Sequence, residues 1–237
     1  VHVVKEQELP DGNFSTVKSP NPEEHSALQL GIELAESINA DIIIGTDPDS
    51  DRIGVGIKDG DSYKLLTGNQ IGALLVKFIL CMRKDLLTPA STIVKTVVTG
   101  DLGAVIAEDQ GVQVIETLTG FKYIGDKITR FADDVKHNFV MGYEESYGYL
   151  VGIHAQDKDA VVAALLICEM ASYYKNQGMT LIDILTSLYK KYGYYYDSLS
   201  SYTLKGKEGH EKISEIMHAL RKKHDLIFDG IKEILDF

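Results

Sequence analysis

Three aspartates alternate in the segment Asp47-Pro48-Asp49-Ser50-Asp51-Arg52, directly after the apolar run Ile42-Ile43-Ile44-Gly45. Carboxylates at every second position of a loop tightened by proline can converge on one hard cation, which takes oxygen ligands. Left uncompensated, three acids this close repel one another, so a cation or Arg52 must neutralise them. The plain alternative is a solvated acidic turn. The strand in front and the arginine behind argue against it, because ligands of α/β sheets gather at the carboxyl ends of strands. An EF-hand loop beginning at Asp47 is excluded: it needs glycine at its sixth position and glutamate at its twelfth, where the chain has Arg52 and Lys58.

Three more segments carry candidate chemistry. Gly142-Tyr143-Glu144-Glu145-Ser146-Tyr147-Gly148 follows another apolar run. Adjacent acids and a hydroxyl on a glycine-bounded loop suit sugar hydroxyls, since carboxylates accept hydrogen bonds and serine both donates and accepts. A polar surface loop is the competing reading. Thr119-Gly120-Phe121-Lys122-Tyr123-Ile124-Gly125 follows the strand-like VQVIET and opens a helix. The helix N-terminus together with Lys122 can hold a phosphate or sugar oxygen. Gln156-Asp157-Lys158-Asp159 heads a further helix. A lysine between two acids is ordinarily a surface ion pair; burial or neighbours can tune it for proton transfer. The DxDxT loop of haloacid-dehalogenase-type phosphotransferases also follows an apolar strand, but Asp51 stands where its threonine belongs.

These loops need a scaffold. The chain opens with what reads as an extended piece, then a turn-rich loop, PDGNFSTVKSPNP. A helix is predicted from Pro22, with Asn21 as cap and Glu24 closing a capping box. Its apolar positions are Ala27, Leu28, Ile32, Leu34, Ala35 and Ile38. A short buried strand follows at 41–46. Asp59-Gly60 marks a hairpin between IGVGI and YKLL. Thr67-Gly68-Asn69 opens a helix running to about Arg83. Residues 92–141 alternate as βαβαβ, which implies a parallel sheet with right-handed crossovers. Helices are expected at 158–176 and 180–192, then one extended piece, a charged helix near 209–224 and a tail.

The chain has 237 residues, of which 44% are hydrophobic and 25% charged, an ordinary globular composition. Its net charge of −11 argues against non-specific nucleic-acid or anionic-membrane binding, both of which need a basic surface. No run reaches the roughly 18 apolar residues of a membrane span. The two cysteines, Cys81 and Cys168, fall in apolar helical runs and read as buried thiols in a reducing, cytoplasmic setting. The lack of an initiator Met and the start inside a strand-like segment suggest a fragment.

In order and spacing, DPDSDR, TGFKYIG, GYEESYG and DKD resemble the α-D-phosphohexomutases, the phosphoglucomutase/phosphomannomutase family, over about residues 10–225. The form of TGFKYIG and EESYG is closer to the bacterial phosphoglucomutase branch. The resemblance implies two α/β units with mixed, largely parallel sheets and flanking helices. It implies residues 1–67 as the C-terminal part of domain 2, 68–198 as the sugar-binding domain 3, and 199–237 as a connector toward domain 4. Asp47, Asp49 and Asp51 would hold Mg²⁺, and Arg52 would lie beside the transferred phosphoryl group. Gly120, Phe121 and Lys122 would orient the sugar, Glu144 and Ser146 would bind its hydroxyls, and Lys158 would move a proton. The implied reaction interconverts glucose 1-phosphate and glucose 6-phosphate through a phosphoserine enzyme and a bisphosphorylated sugar, with glucose 1,6-bisphosphate as activating intermediate. The partners would be a phosphorylated hexose and domains 1 and 4, with neither nucleic acid nor membrane. The alternatives are a phosphomannomutase or phosphoglucosamine mutase fragment, or a non-catalytic sugar-phosphate or cation-binding module. The sequence has no serine loop of the TASHNP kind and no RxSGTEP phosphate clamp. The chain alone is therefore expected to be inactive.

Overall fold

A computed structural model describes residues 1–198 and 203–222. Residues 1–195 form one compact unit, and the described residues from 196 onward belong to a second.

The first 28 residues hold no strand. They contain only two short 3₁₀ turns, Lys5–Gln7 and His25–Leu28, so the extended start expected from the sequence is absent. Helix α1 spans Gln29–Ile38, seven residues later than its sequence signals suggest. The reason is local. The Asn21 carboxamide oxygen accepts from the Glu23 N–H at 3.1 Å, closing an Asx turn instead of capping a helix. Leu28, Ile32 and Ala35 do turn inward, while Ile38 is exposed. Asn39, in the left-handed conformation, ends α1.

Strands β1 (Ile42–Thr46), β2 (Ile53–Asp59) and β3 (Ser62–Leu65) form an antiparallel sheet in that order. Gly60, at φ +61°, supplies the turn between β2 and β3. Within β1 only Ile43 is buried, because this strand is an edge. By contrast, Ile53, Val55 and Ile57 of β2 enter the main core.

That core is organised by α2 (Gly68–Met82), whose GALLVKFIL run is apolar on nearly every side and is buried to match. Thr67 caps α2 in a capping box with Gln70. The central sheet runs β5-β4-β6-β7, with β4 (Ser91–Thr96), β5 (Gln113–Thr117), β6 (Asn138–Glu144) and β7 (Gly148–Val151). β4 pairs in parallel with β5 and β6, and β7 turns back antiparallel on β6. Helices α3 (Leu102–Asp109) and α4 (Phe121–Phe131) make the two crossovers. Ile93 and Val94 of β4 feed different clusters, the second built with Phe121, Ile124 and Ile128 of α4. A strand covered on both faces needs a continuous apolar run, which TIVKTVV supplies apart from its lysine. Lys95 is nevertheless buried with all three protons used: Thr99 O at 2.8 Å, Asp101 at 2.9 Å and Glu116 at 2.8 Å.

Helices α5 (Ala160–Lys175) and α6 (Leu181–Tyr192) complete the unit. The Phe78 ring of α2 meets Tyr173 and Tyr174 of α5 at centroid distances of 5.9 and 6.3 Å. Both cysteines are free but exposed, contrary to the sequence expectation. Cys81 lies in the last turn of α2, past its buried run, and Cys168 lies on the face of α5 that also exposes Val161 and Leu165. In the second unit, α7 spans Gly206–Lys222. The tail expected after 224, and most of the extended piece before α7, fall outside the described residues. Among the described residues no helix is long and apolar enough to cross a membrane.

Candidate functional site

The parallel pairing sends the C-terminal ends of β4, β5 and β6 to one edge of the sheet, where the loops 97–101, 118–120 and 145–147 collect. The aspartate loop is bound to that edge through the backbone. Arg52 forms a β-bridge with Gly148, the Ile53 N–H donates to Tyr147 O at 3.1 Å, and the Ala160 N–H donates to Ser50 O at 3.0 Å. Four segments far apart in sequence thereby share one site.

Within the aspartate loop, one carboxylate oxygen of each of Asp47, Asp49 and Asp51 lies within 4.8 Å of the others. The loop is held by its own first residue, since Asp47 Oδ1 accepts from the N–H groups of Asp51 and Arg52, each at 3.0 Å. Ser50, at φ +57°, is forced into the left-handed region at the turn. Burial pushes the Asp47 carboxyl above the usual range, and its neighbour Asp51 pushes it the same way, against the two N–H donors. Three part-exposed hard oxygen donors at this spacing suit Mg²⁺ or a similar dication better than a soft metal.

Arg52 is oriented by Glu23, whose carboxylate lies 2.9 Å from its guanidinium. Sequence reading missed this partner, because the pair spans 29 residues and Glu23 was assigned to a helix start. Lys158 lies 2.8 Å from Asp51 and 3.1 Å from Asp157. Its ammonium also stands 5.5 Å from the centre of the Phe121 ring. Burial alone would lower the Lys158 pKa, but the hydrogen bonds to Asp51 and Asp157 outweigh it and hold the group above the ordinary lysine value.

The second half of the site centres on Glu144, at the last position of β6 and 6% exposed. It accepts from the Gly120 N–H at 2.9 Å. Gly120 sits at φ +118°, a conformation that favours glycine, and caps α4. Ser146 lies in the three-residue turn between β6 and β7, part-exposed. Lys122 is exposed and lies over the Tyr123 ring. Phe121, the middle residue of the loop expected to orient the sugar, opens α4. It is buried among Ile124, Ile128 and Phe139, with its ring near Lys158.

Glu145, to which the family resemblance gives no role, points elsewhere. Its carboxylate accepts from the hydroxyls of Thr99 at 2.9 Å and Thr96 at 3.3 Å. It thus clamps the 145–147 turn to the end of β4. The β7 strand itself was not legible, because Tyr147 makes the turn at φ +66° without a glycine or asparagine to announce it.

Burial raises the Glu144 carboxyl above the ordinary glutamate value, offset in part by the Gly120 N–H and by Lys158. The sign follows from linkage. A folded pKa above the unfolded one means that the folded chain binds more protons between the two, so stability falls as pH rises through that window. Glu144→Gln keeps an acceptor for Gly120 and removes the charge. The variant is expected to match the parent below the ordinary glutamate pKa of about 4.3 and to exceed it in stability at neutral pH. Urea denaturation of both chains at pH 4 and pH 7 checks this. A variant less stable at pH 7 would show that the charged form of Glu144 is favoured by the fold.

A cluster of polar and charged side chains at the carboxyl ends of an α/β sheet, with a three-aspartate loop at its rim, places the chain among α/β proteins that bind ligands at that edge. Comparison with known proteins specifies the class. The family model of phosphoglucomutase/phosphomannomutase α/β/α domain III matches residues 67–192, and that of domain II matches residues 1–60. The chain belongs to the phosphoglucomutase/phosphomannomutase family. A phosphoglucomutase of Staphylococcus epidermidis is 39% identical over 233 residues, covering 98% of this chain and 42% of that protein. A phosphoglucomutase of Staphylococcus haemolyticus is 40% identical over 226 residues, covering 94% and 40%. The chain thus spans about two fifths of the length of these relatives. Among solved structures, a phosphoglucomutase/phosphomannomutase family protein from Burkholderia thailandensis superposes with a TM-score of 0.62 at 18% identity, covering 91% of this chain and 40% of that one. Parafusin from Paramecium gives 0.61 at 20% identity, covering 92% and 38%. At these identities the structures speak for the fold.

Proposed function

We propose that this chain supplies the metal loop and the hexose-reading loops of a phosphoglucomutase, interconverting glucose 1-phosphate and glucose 6-phosphate through a phosphoserine enzyme and a bisphosphorylated sugar. The observation that carries the reading is the convergence of Asp47, Asp49, Asp51, Lys158 and Glu144 with Gly120 at one sheet edge. The relatives at 38–40% identity are named phosphoglucomutases, which favours glucose over mannose or glucosamine phosphate.

On this reading residues 1–67 are the C-terminal part of domain 2, residues 68–198 are domain 3, and 199–237 lead toward domain 4. Asp47, Asp49 and Asp51 would hold Mg²⁺, which would supply positive charge to neutralise a phosphoryl group. Arg52, held by Glu23, offers a fixed positive charge to the same group. Glu144 and Ser146 read sugar hydroxyls, and the Gly120–Lys122 turn orients the sugar. Phe121 acts from beneath, by packing the start of α4 and by facing Lys158. Lys158 holds a proton at its Nζ within reach of the sugar-facing loops. The serine that carries the phosphoryl group lies in no motif of this chain, so turnover requires the complete protein.

The test is a glucose 1-phosphate to glucose 6-phosphate assay with Mg²⁺ on the complete protein and on this chain. Turnover by the complete protein and none by the chain is expected. Turnover by the 237-residue chain alone would overturn the assignment of the phosphoserine elsewhere. A complete protein that turns over only another hexose phosphate would overturn the glucose preference.

A further inference from the structure

Taking the metal reading of the aspartate loop as its basis, we infer that Lys158 is the resident cation of that loop, and that the Lys158 ammonium and a divalent cation exclude one another from Asp51. The geometry is that of a cation with two alternative seats. Lys158 Nζ lies 2.8 Å from Asp51 Oδ2, on the loop, and 3.1 Å from Asp157 Oδ1, off it. The Phe121 ring, 5.5 Å away, offers a third favourable surface for the charge. The lysine side chain is only 13% exposed. Its stem runs across Gly148, where an added Cβ would stand 2.9 Å from Lys158 Cγ, so glycine leaves the groove that admits it. The ammonium is confined to these partners and does not swing freely into solvent.

The remaining charges facing it fit the same picture. Arg52 Nε is 3.9 Å from the other oxygen of Asp51, and Glu23 occupies the far side of that guanidinium. Asp47 and Asp49 have no cation within ion-pair distance among the described residues. Lys158 is therefore the close countercharge that bonds the loop from outside its own segment. A dication gathered by the same carboxylates and an ammonium bonded to one of them are like charges in a part-buried site, where water screens them poorly. Loading the loop shifts Lys158 from Asp51 to Asp157 and the Phe121 ring. Phe121 is the first residue of α4, next to Gly120. The lysine thereby turns toward the loop assigned to sugar orientation when the loop carries metal.

The experiment is a Mn²⁺ titration of this chain by isothermal calorimetry, with Lys158→Met, Lys158→Arg and the double variant Lys158→Met/Asp49→Asn. Methionine keeps the buried stem and removes the charge. Lys158→Met is expected to bind Mn²⁺ about tenfold more tightly than the parent, equivalent to about 1.4 kcal/mol. Lys158→Arg should stay near the parent, and Asp49→Asn should remove the gain. Equal or weaker binding by Lys158→Met, still abolished by Asp49→Asn, overturns the exclusion and leaves the metal site standing. Binding in neither chain, or binding indifferent to Asp49→Asn, overturns both. A second measurement needs no substitution: acylation of Lys158 by acetic anhydride, read by mass spectrometry, should rise severalfold on adding Mg²⁺. Labelling unchanged by Mg²⁺ also overturns the exclusion.

Discussion

Gly68→Ala is expected to destabilise the chain by about 2–3 kcal/mol and to disturb the turn that carries Ser146. An added Cβ at Gly68 would run into the carbonyl oxygen of Glu145, and would lie 2.7 Å from its carbonyl carbon and 3.0 Å from Tyr147 N. All three atoms are backbone, so no side-chain rotation relieves the overlap. Overpacking of this kind costs roughly 1–3 kcal/mol, and backbone obstacles belong at the upper end. The contact is fixed from both sides. On one side the Tyr149 hydroxyl donates to Gly68 O at 2.8 Å, and the Thr67–Gln70 capping box holds the helix start. On the other side Glu145 is tied to Thr99 and Thr96, and Tyr147 O to the Ile53 N–H. Either α2 retreats from the sheet or the 145–147 turn moves, and the second option shifts Glu144 and Ser146. Gly60→Ala is the control. Nothing lies within 4 Å of its added Cβ, so only the cost of a positive φ of +61° remains, about 1 kcal/mol. Urea denaturation of both variants measures the difference. A Gly68→Ala chain no less stable than Gly60→Ala would show that α2 and the turn are not in rigid contact.

The same contacts show which parts of this molecule a sequence reader could see. The β4–α3–β5–α4–β6 alternation was legible because each strand is a short continuous apolar run and each helix has its own periodicity and boundary. The Thr67 helix start was legible from the local Thr67-Gly68-Asn69 signal, and the structure completes it with a capping box to Gln70, a device contained within four residues. The Asn21 signal was local too, and misleading, since its side chain closes an Asx turn that the same residues permit. The aspartate, TGFKYIG, GYEESYG and DKD segments could be named one by one. What joins them could not. The Glu23–Arg52 and Asp51–Lys158 pairs, the Arg52–Gly148 bridge and the Glu145–Thr99 clamp are contacts between distant segments, with no trace in the spacing of either partner. The roles of Glu144 and Glu145 illustrate the point. Two identical neighbours at the end of a strand point to opposite sides by the pleat, so one faces Gly120 and the other faces Thr99.

Of the three loop aspartates, Asp47 is expected to give the larger and more composite loss. Asp47→Ala should abolish Mn²⁺ binding to the chain and also lower its stability, whereas Asp49→Ala should abolish binding alone. Both substitutions remove one of three converging carboxylates, and a dication site of this kind depends on ligand charge. Only Asp47 also closes the loop, accepting at 3.0 Å from the N–H groups of Asp51 and Arg52. Losing an acceptor for two part-buried donors costs about 1–3 kcal/mol. Asp49 is exposed, and among the described residues its carboxylate accepts no protein hydrogen bond at the loop. The third variant separates the two effects. Asp47→Asn retains an oxygen for both donors and gives up the charge, so it should restore most of the stability and none of the Mn²⁺ affinity. Thermal denaturation without metal, together with Mn²⁺ titration, reads both quantities. If Asp47→Asn is as unstable as Asp47→Ala, charge and not loop closure holds the segment; if it binds Mn²⁺ as the parent does, Asp47 is not a ligand and the loop's charge belongs to Lys158 and Arg52 alone.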